Sequence, residues 1–295
     1  MTKPIAVVGM PTALGGHIAG MERTPSELRQ RGLLDQLVAA GLELRDDGDL
    51  GIEPGFRPDP DRRAKNRAQI AEFLPRQAAM VAASVAEDER LLILGGDCTA
   101  HAGAVAGLRR ARLDRQLAIA WFDAHGDFNT PDTTPSGNVW GMPFAMLCGR
   151  GDADLVAACD GPTVVERHAA LIGGQVLDEV ESRVLAASPI AHFGAGMLGT
   201  PAGMAALAAW ATAVGREVDG LYVAIDHDVL DGVEGWALQM PEAAGISLAT
   251  ALEAVATLAA AMPVVGYGAT AMNFAAGDGP KTVAAAAELA IAAFG

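Results

Sequence analysis

Three short segments rich in aspartate, histidine and cysteine each follow an apolar run in this chain: Gly95 to His101, Asp123 to Asp127 and Asp226 to Asp231. Carboxylates gathered at one place repel each other strongly unless cations neutralise them. Oxygen-rich ligands with one or two nitrogens suit Mn²⁺, Mg²⁺ or Fe²⁺ better than structural zinc. One such segment alone indicates ordinary turn and cap residues, whereas three together favour a metal cluster.

The order of elements must bring these segments together. The apolar runs predict buried strands, and their continuous apolarity is typical of parallel strands covered on both faces; the runs are Ile5 to Gly9, Leu91 to Leu94, Leu117 to Phe122, Ala191 to Phe193, Leu221 to Ile225 and Val264 to Gly268. Helical patterns lie between them, at Pro25 to Ala40 with Thr24 as its cap, Arg67 to Ala86, Ala100 to Arg112, Gly203 to Val214, Ser247 to Ala261 and Lys281 to Phe294.

This alternation predicts an α/β fold of three layers, α-β-α, around a mainly parallel central sheet. No linker or clear repeat divides the sequence, so we expect one domain over residues 1–295. In such a sheet, ligands bind beyond the carboxyl ends of the strands. If the chain stays extended there, Asp123, His125 and Asp127 share one face, whereas His227 points away from Asp226 and Asp228.

Composition excludes several classes of protein. The 36 acidic and 21 basic residues give a net charge of −15, which repels nucleic acid, and 51% apolar residues exclude disorder. Three cysteines make no disulfide framework, and the apolar run after Met1 to Pro4 is too short for a signal peptide, so we expect a cytoplasmic protein. The alanine-rich stretch Ala243 to Gly277 is interrupted by Pro263, so we expect no membrane span.

One long motif resembles the ureohydrolase family, and arginases within it more than agmatinases. The motif comprises Asp123-Ala124-His125-Gly126-Asp127-Phe128-Asn129-Thr130-Pro131, then Thr134, Ser136-Gly137-Asn138, Gly141 and Pro143, with Asp226 and Asp228 downstream. Weaker similarity extends over almost the whole chain. The resemblance implies the arginase fold, two Mn²⁺ ions, a water between them as nucleophile, and a homo-oligomer, a trimer or a hexamer.

The resemblance also assigns roles to residues. It implies a first metal site (site A) of Cys98, Asp123, Asp127 and Asp226, and a second (site B) of His125, Asp123, Asp226 and Asp228, with Asp127 also orienting the attacking water. It implies that a small amino-acid substrate is held at its α-carboxylate by Asn129, Thr134, Ser136 and Asn138, and at its α-amino group by Asp178 and Glu181. Neutral donors on one side and acids on the other suit a zwitterion, although such a loop is also typical of plain turn chemistry.

Seven positions depart from the family pattern. Four of them, Trp236, Leu238, Gln239 and Met240, replace a usually small loop rich in threonine and glycine, so the distal pocket has lost charge and gained bulk. Cys98 stands where the family has a histidine ligand, and a softer thiolate predicts weaker Mn²⁺ binding at site A. Alternatively, Cys98 is an inert thiol and His101 supplies the nitrogen. Trp140 replaces a histidine that shuttles protons, and Ala271 replaces a glutamate that pairs with the guanidinium of the substrate.

The last replacement bears on the substrate, because burying the guanidinium cation without a carboxylate partner is costly. A hydroxyguanidine is less basic and can enter a pocket uncharged. With a cysteine at this ligand position, the sequence resembles the Nω-hydroxy-L-arginine amidinohydrolases, which release hydroxyurea and ornithine. We therefore expect a metal-dependent C–N hydrolase of that kind. The alternatives are a hydrolase of a formimino or amide amino acid, and a catalytically silent relative that binds an amino acid or a partner subunit.

Overall fold

Eight parallel strands form the centre of the protein. The computed structural model describes residues 4–16, 18–51, 62–86, 88–112 and 115–295, so Met1 to Lys3, part of the segment on which the signal-peptide argument rests, lie outside the described residues. The strands are β1 (Ile5–Met10), β2 (Leu44–Asp49), β3 (Arg90–Gly95), β4 (Leu117–Asp123), β5 (Ala169–Gly173), β6 (Ala191–Phe193), β7 (Gly220–Asp226) and β8 (Val264–Thr270). Their order is β2-β1-β3-β8-β7-β4-β5-β6, and these strands pair in parallel throughout.

Helices cover both faces of the sheet. They are α1 (Thr24–Gln30), α2 (Leu33–Ala39), α3 (Arg67–Ser84), α4 (Thr99–Ala111), α5 (Pro143–Leu147), α6 (Ala153–Ala158), α7 (Glu179–Ala186), α8 (Ala195–Leu198), α9 (Pro201–Val214), α10 (Leu248–Ala261) and α11 (Gly279–Phe294). Side chains of a strand alternate between faces. Ile5 and Val7 accordingly pack with α2, α9, α10 and α11, whereas Ala6 and Val8 pack with α3 to α6, which confirms the three-layer α/β prediction.

The sequence analysis missed two strands, one helix boundary and the four short helices α5 to α8. β2 is a polar, half-exposed edge strand, and β5 has only five residues, all buried. The helix expected from Pro25 to Ala40 is two helices, because Gly32 adopts φ 81° between them. The expectation that Thr24 caps this helix is wrong: Arg23 is the N-cap residue, and the Thr24 hydroxyl donates to the carbonyl of Met272 at 2.8 Å.

Local capping fixes the two C-terminal helices. The Ser247 hydroxyl accepts the amide N–H of Thr250 at 3.1 Å at the start of α10. The Asp278 carboxylate accepts the amide N–H of Lys281 at 3.0 Å at the start of α11. Such caps satisfy backbone donors that have no partner within the helix.

The sheet order places the chemically active segments side by side. β3, β8, β7, β4 and β5 are consecutive neighbours, so the residues that follow them meet at one edge of the sheet. Within the described ranges, none of the helices combines the length and apolarity that crossing a bilayer requires.

Candidate metal centre and substrate pocket

Two buried aspartates end neighbouring strands at the centre of this edge. Asp123 is the last residue of β4 and Asp226 the last of β7. Each carboxylate accepts the backbone N–H two residues further on, from His125 at 2.6 Å and from Asp228 at 2.9 Å. The expectation of an extended segment through Asp127 is therefore wrong: the chain turns at Asp123, and Asp127 has φ 47°. The turn, not strand periodicity, gathers these side chains.

Two groups of possible metal ligands share Asp123. In the first, ligand atoms of Cys98, Asp123 and Asp226 all lie within 4.8 Å of one another, and the Cys98 thiol donates to Asp226 at 2.9 Å. In the second, His125 Nδ1 lies 3.1 Å from an oxygen of Asp228 and 3.3 Å from one of Asp123. A shared carboxylate between two such groups is the arrangement that a pair of metal ions requires.

Asp127 lies beside these groups, and one of its carboxylate oxygens accepts no hydrogen bond from the described residues. It is 4% exposed, and its Oδ2 is buried with no hydrogen-bond partner among the described residues. Buried polar atoms are rarely left without a partner, and an exception calls for an ion, a water or a ligand. The donor set and this orphaned oxygen therefore fit bound cations.

The electrostatics of the cluster point the same way. Burial, and then the charges of neighbouring carboxylates, raise the pKa of Asp127 and Asp226 well above the usual range. Burial and repulsion from Asp228 raise the pKa of Asp123 to about 6. Burial lowers the pKa of His125, yet the carboxylates of Asp123 and Asp228 outweigh burial and raise it. Without cations the cluster would take up protons, whereas bound cations would remove this repulsion.

Cys98 and His101 are the two candidates for the position at which the family has a histidine ligand. The structure places Cys98 in the cluster. His101 is fully buried, and its ring nitrogens lie 3.0 Å from the Tyr222 hydroxyl and 3.1 Å from the Thr270 hydroxyl. Burial lowers the pKa of His101 to about 3. His227 also lies apart from the ligand groups, with Nδ1 3.3 Å from the carbonyl oxygen of Thr270.

A cavity of about 310 Å³ opens onto the cluster. Cys98, His125, Asp127, Asp226 and Asp228 line its floor. The positions expected to bind the ends of an amino acid also line it, namely Asn129, Thr134, Ser136, Asn138, Asp178 and Glu181. A cavity onto which polar groups from several loops converge is typical of a small-molecule site.

The loop expected to bind a carboxylate is braced by its own hydrogen bonds. The Thr134 hydroxyl accepts the N–H of Gly137 at 2.9 Å, and the Ser136 hydroxyl accepts the N–H of Asn138 at 3.1 Å. Lys65 Nζ donates to Asn138 Oδ1 at 2.8 Å. No pattern in the sequence singles out Lys65, because only the fold brings it to this loop.

The two acids on the opposite side differ in their surroundings. Glu181 accepts the backbone N–H groups of Phe128 at 2.9 Å and of Asp178 at 3.3 Å, and forms a capping box with Asp178 at the start of α7. Burial raises the pKa of Glu181 to about 7. Asp178 is exposed, and its carboxylate accepts from the Asn129 amide at 2.9 Å. Glu181 thus orders the loop, and Asp178 is the acid open to a ligand.

The comparisons with known proteins agree with this geometry. The model of the arginase family matches residues 3–295. The chain belongs to the arginase family. It is 30% identical to the arginase of Bacillus caldovelox over 99% of this chain and 98% of that protein. It is therefore a hydrolase of this family.

Solved structures support the membership. The crystal structure of the arginase from Bacillus cereus matches with a TM-score of 0.89 at 29% identity, covering 99% of each chain. The formimidoylglutamase of Bacillus subtilis matches with a TM-score of 0.76 at 20% identity, over 99% of this chain and 86% of that one. The second likeness shows the fold alone.

The remaining wall of the pocket carries apolar side chains at two positions, Trp140 and Ala271, where the family pattern has a histidine and a glutamate. Trp140, Ala271, Met21 and Met240 line it. The Trp140 ring packs directly on Gly16, where a Cβ would collide with the ring. The absence of a side chain at Gly16 therefore leaves room for the Trp140 ring, which is larger than the histidine it replaces.

Two polar residues also lie in this wall: Glu242, which sequence reasoning missed, and Gln239, which it marked as a departure from the family but gave no role. Glu242 Oε1 lies 3.7 Å from His125 Nε2, which places it beside the metal cluster. Gln239 lies next to Ala271. Both belong to a loop whose residue types alone indicated only loss of small residues.

Proposed function

We propose that this protein is a manganese-dependent hydrolase that cleaves a C–N bond in the distal group of an arginine-like amino acid, and that this distal group is uncharged. We favour Nω-hydroxy-L-arginine, with hydroxyurea and L-ornithine as products. One observation carries the proposal: a single cavity joins the buried carboxylate cluster to a wall in which Ala271 and Trp140 supply no charge.

The residues that would hold two ions are those of the two ligand groups. Site A would use Cys98, Asp123, Asp127 and Asp226, and site B would use His125, Asp123, Asp226 and Asp228. When bound, such ions make a water nucleophilic at neutral pH and polarise the group under attack. Burial, and then the charges of three neighbouring aspartates, raise the pKa of the Cys98 thiol. Because the thiol must lose its proton before it can bind a metal ion, site A would be the weaker and more pH-dependent site.

The side chains of this protein would position the substrate and the water. Asp127 offers its unpartnered Oδ2 to the attacking water, orients it, and passes a proton to the departing amine directly or through solvent. Asn129, Thr134, Ser136 and Asn138 donate to the α-carboxylate, with the positive charge of Lys65 behind them. Asp178 accepts from the α-amino group, and Glu181 holds that loop in place.

The apolar wall argues against plain L-arginine. A guanidinium keeps its charge at any physiological pH, and a cation enclosed without a carboxylate loses more solvation than it regains. Two further carboxylates line the same cavity, but both are engaged elsewhere. Glu242 lies toward His125, and Asp97 accepts the backbone N–H groups of Gly15 at 2.7 Å and of Thr99 at 3.0 Å. A neutral hydroxyguanidine avoids this cost.

Three broader features accompany the proposal. We propose that residues 1–295 form one domain, that the protein works in the cytoplasm, and that it assembles as a homotrimer or homohexamer. These features rest on the sequence and its resemblance to the family.

A substrate panel on the Mn²⁺-reconstituted protein tests the proposal. We expect hydroxyurea from Nω-hydroxy-L-arginine at a much higher kcat/KM than urea from L-arginine. Asp127→Ala should lower kcat by about a hundredfold or more, whereas Asp132→Ala, at an 87% exposed side chain in the same loop, should leave it unchanged. Release of ammonia from an amide amino acid, or of formamide from a formimino amino acid, with neither urea nor hydroxyurea from the other substrates, would favour that substrate class instead. Full activity of Asp127→Ala would refute the assigned role.

A further inference from the structure

Gln239 occupies the place in the pocket wall beside Ala271. Its backbone N–H donates to the carbonyl of Ala271 at 3.0 Å, and the N–H of Asn273 donates to the carbonyl of Ala237 at 3.0 Å. An antiparallel bridge between the intervening residues joins the two segments. The backbone therefore fixes Gln239 and Asn273 as diagonal neighbours across this bridge, and Gln239 lines the cavity.

A relay of hydrogen bonds fixes which end of the Gln239 amide is engaged. The backbone N–H of Ala275 can only donate, so the side-chain atom of Asn273 that it meets at 3.0 Å is the oxygen. Asn273 Nδ2 is then the atom that donates to Gln239 Oε1, at 2.8 Å. Reversing either amide would set two donors or two acceptors against each other. The Gln239 oxygen is thus committed to Asn273, and its other end, Nε2, carries only donors.

We propose that Gln239 is a specificity-determining residue that presents a hydrogen-bond donor to the distal group of the substrate, so that the pocket selects an uncharged group with an acceptor oxygen and rejects a guanidinium. This inference rests on the proposed function and specifies its substrate class. A guanidinium has five N–H donors and no acceptor, so it meets Gln239 donor to donor. A hydroxyguanidine oxygen or a carbonyl oxygen accepts from Nε2.

The side chain also explains how the wall discriminates without a charge. A site built to hydrogen-bond one group rejects an analogue that cannot complete the bond, because a buried donor is then left without a partner. At the same place a carboxylate would reverse the preference, since it accepts from a guanidinium. The side chain at position 239 therefore decides whether the pocket prefers a neutral group with an acceptor oxygen or a guanidinium.

Binding of L-citrulline and L-arginine by isothermal titration calorimetry tests the inference on the Mn²⁺-reconstituted protein. The two amino acids have nearly the same shape, but citrulline is neutral and carries a carbonyl oxygen. We expect the wild type to bind citrulline more tightly. Gln239→Met, which removes the donor without adding charge, should weaken citrulline binding by about tenfold. Gln239→Glu should shift the citrulline-to-arginine affinity ratio toward arginine by about tenfold to a hundredfold.

Gln36→Glu on the exposed face of α2 is the matched control for the added charge, and its affinity ratio should equal that of the wild type. Circular dichroism verifies that each variant is folded. An unchanged citrulline affinity in folded Gln239→Met overturns the inference, as does an arginine preference in the wild type.

The binding readout separates this inference from the proposed function. Loss of citrulline preference in the variants together with no hydrolysis of any panel substrate refutes the proposed function and supports the role of Gln239. Hydroxyurea release together with unchanged affinity ratios in the variants supports the proposed function and refutes the role of Gln239. A wild type that binds neither amino acid contradicts both.

Discussion

Restoring a carboxylate at the uncharged wall should convert the protein toward L-arginine. The change is Ala271→Glu. Ala271 is 6% exposed and already has φ 65° with a Cβ in place, so the longer side chain adds little backbone strain. Met21 and Met240, which line the same wall, are flexible side chains that can yield space.

The size of the effect follows from one charge-assisted hydrogen-bonded pair. Such a bond contributes about 1.5–3 kcal/mol, and 1.4 kcal/mol is a factor of about ten. We therefore expect kcat/KM for L-arginine to rise by roughly tenfold to a hundredfold. The value for Nω-hydroxy-L-arginine should fall, because a buried carboxylate disfavours a neutral ligand that leaves it without a cation.

The assay measures urea and hydroxyurea release by wild type and variant at matched Mn²⁺ concentration. Ala276→Glu, at an exposed position of the loop that follows, adds the same charge outside the pocket and should leave both values unchanged. An unaltered ratio of the two kcat/KM values in a folded, metal-loaded Ala271→Glu protein would refute the reasoning about the uncharged wall.

Three further predictions follow from the contacts around the pocket. Lys65→Met should raise KM for the amino acid substrate about threefold to tenfold with a smaller change in kcat, because it removes the cation beside Asn138; steady-state kinetics measure both values. Glu181→Ala removes a capping box and should lower the free energy of unfolding by about 1–3 kcal/mol in denaturant titrations, whereas Glu179→Ala, exposed on the same helix, should change it little. Metal-free protein should lose thermal stability as pH rises from about 4 through 6. Burial and neighbouring charges raise the folded-state pKa of Asp123 to about 6 and raise the pKa values of Asp127 and Asp226 as well, so the folded state holds protons that the unfolded chain releases. Mn²⁺ should abolish this loss in thermal unfolding scans, and a stability that rises over that pH range would contradict the prediction.

The parts of the fold that could be predicted are those that a single physical pattern determines. Continuous apolar runs identified six strands, because burial on both faces leaves no room for polar residues. β2 escaped because an edge strand tolerates polar residues such as Asp46 and Asp47 on its open side. The helical pattern around Gly32 predicted one continuous helix, whereas the φ of 81° at Gly32 separates two helices.

The site divides in the same way. Asp123 and Asp226 were predictable because they directly follow apolar runs, and strand ends of a parallel sheet meet at one edge. Glu242 and Lys65 lie in loops that only the tertiary fold brings to the cavity, so no local pattern marks them. The resemblance marked Gln239 and Glu181, but their hydrogen bonds to Asn273 and to the backbone of Phe128 join residues distant in sequence and could not be predicted.

The most direct test of the central claim is one experiment on purified protein reconstituted with Mn²⁺. Metal content is measured by inductively coupled plasma mass spectrometry, and the same sample is assayed for urea and hydroxyurea with L-arginine and Nω-hydroxy-L-arginine. We predict two ions per chain, with the ion at site A lost first on dialysis, and hydroxyurea as the main product. One ion or none, together with neither product, would contradict the account of a dinuclear hydrolase selective for an uncharged distal group.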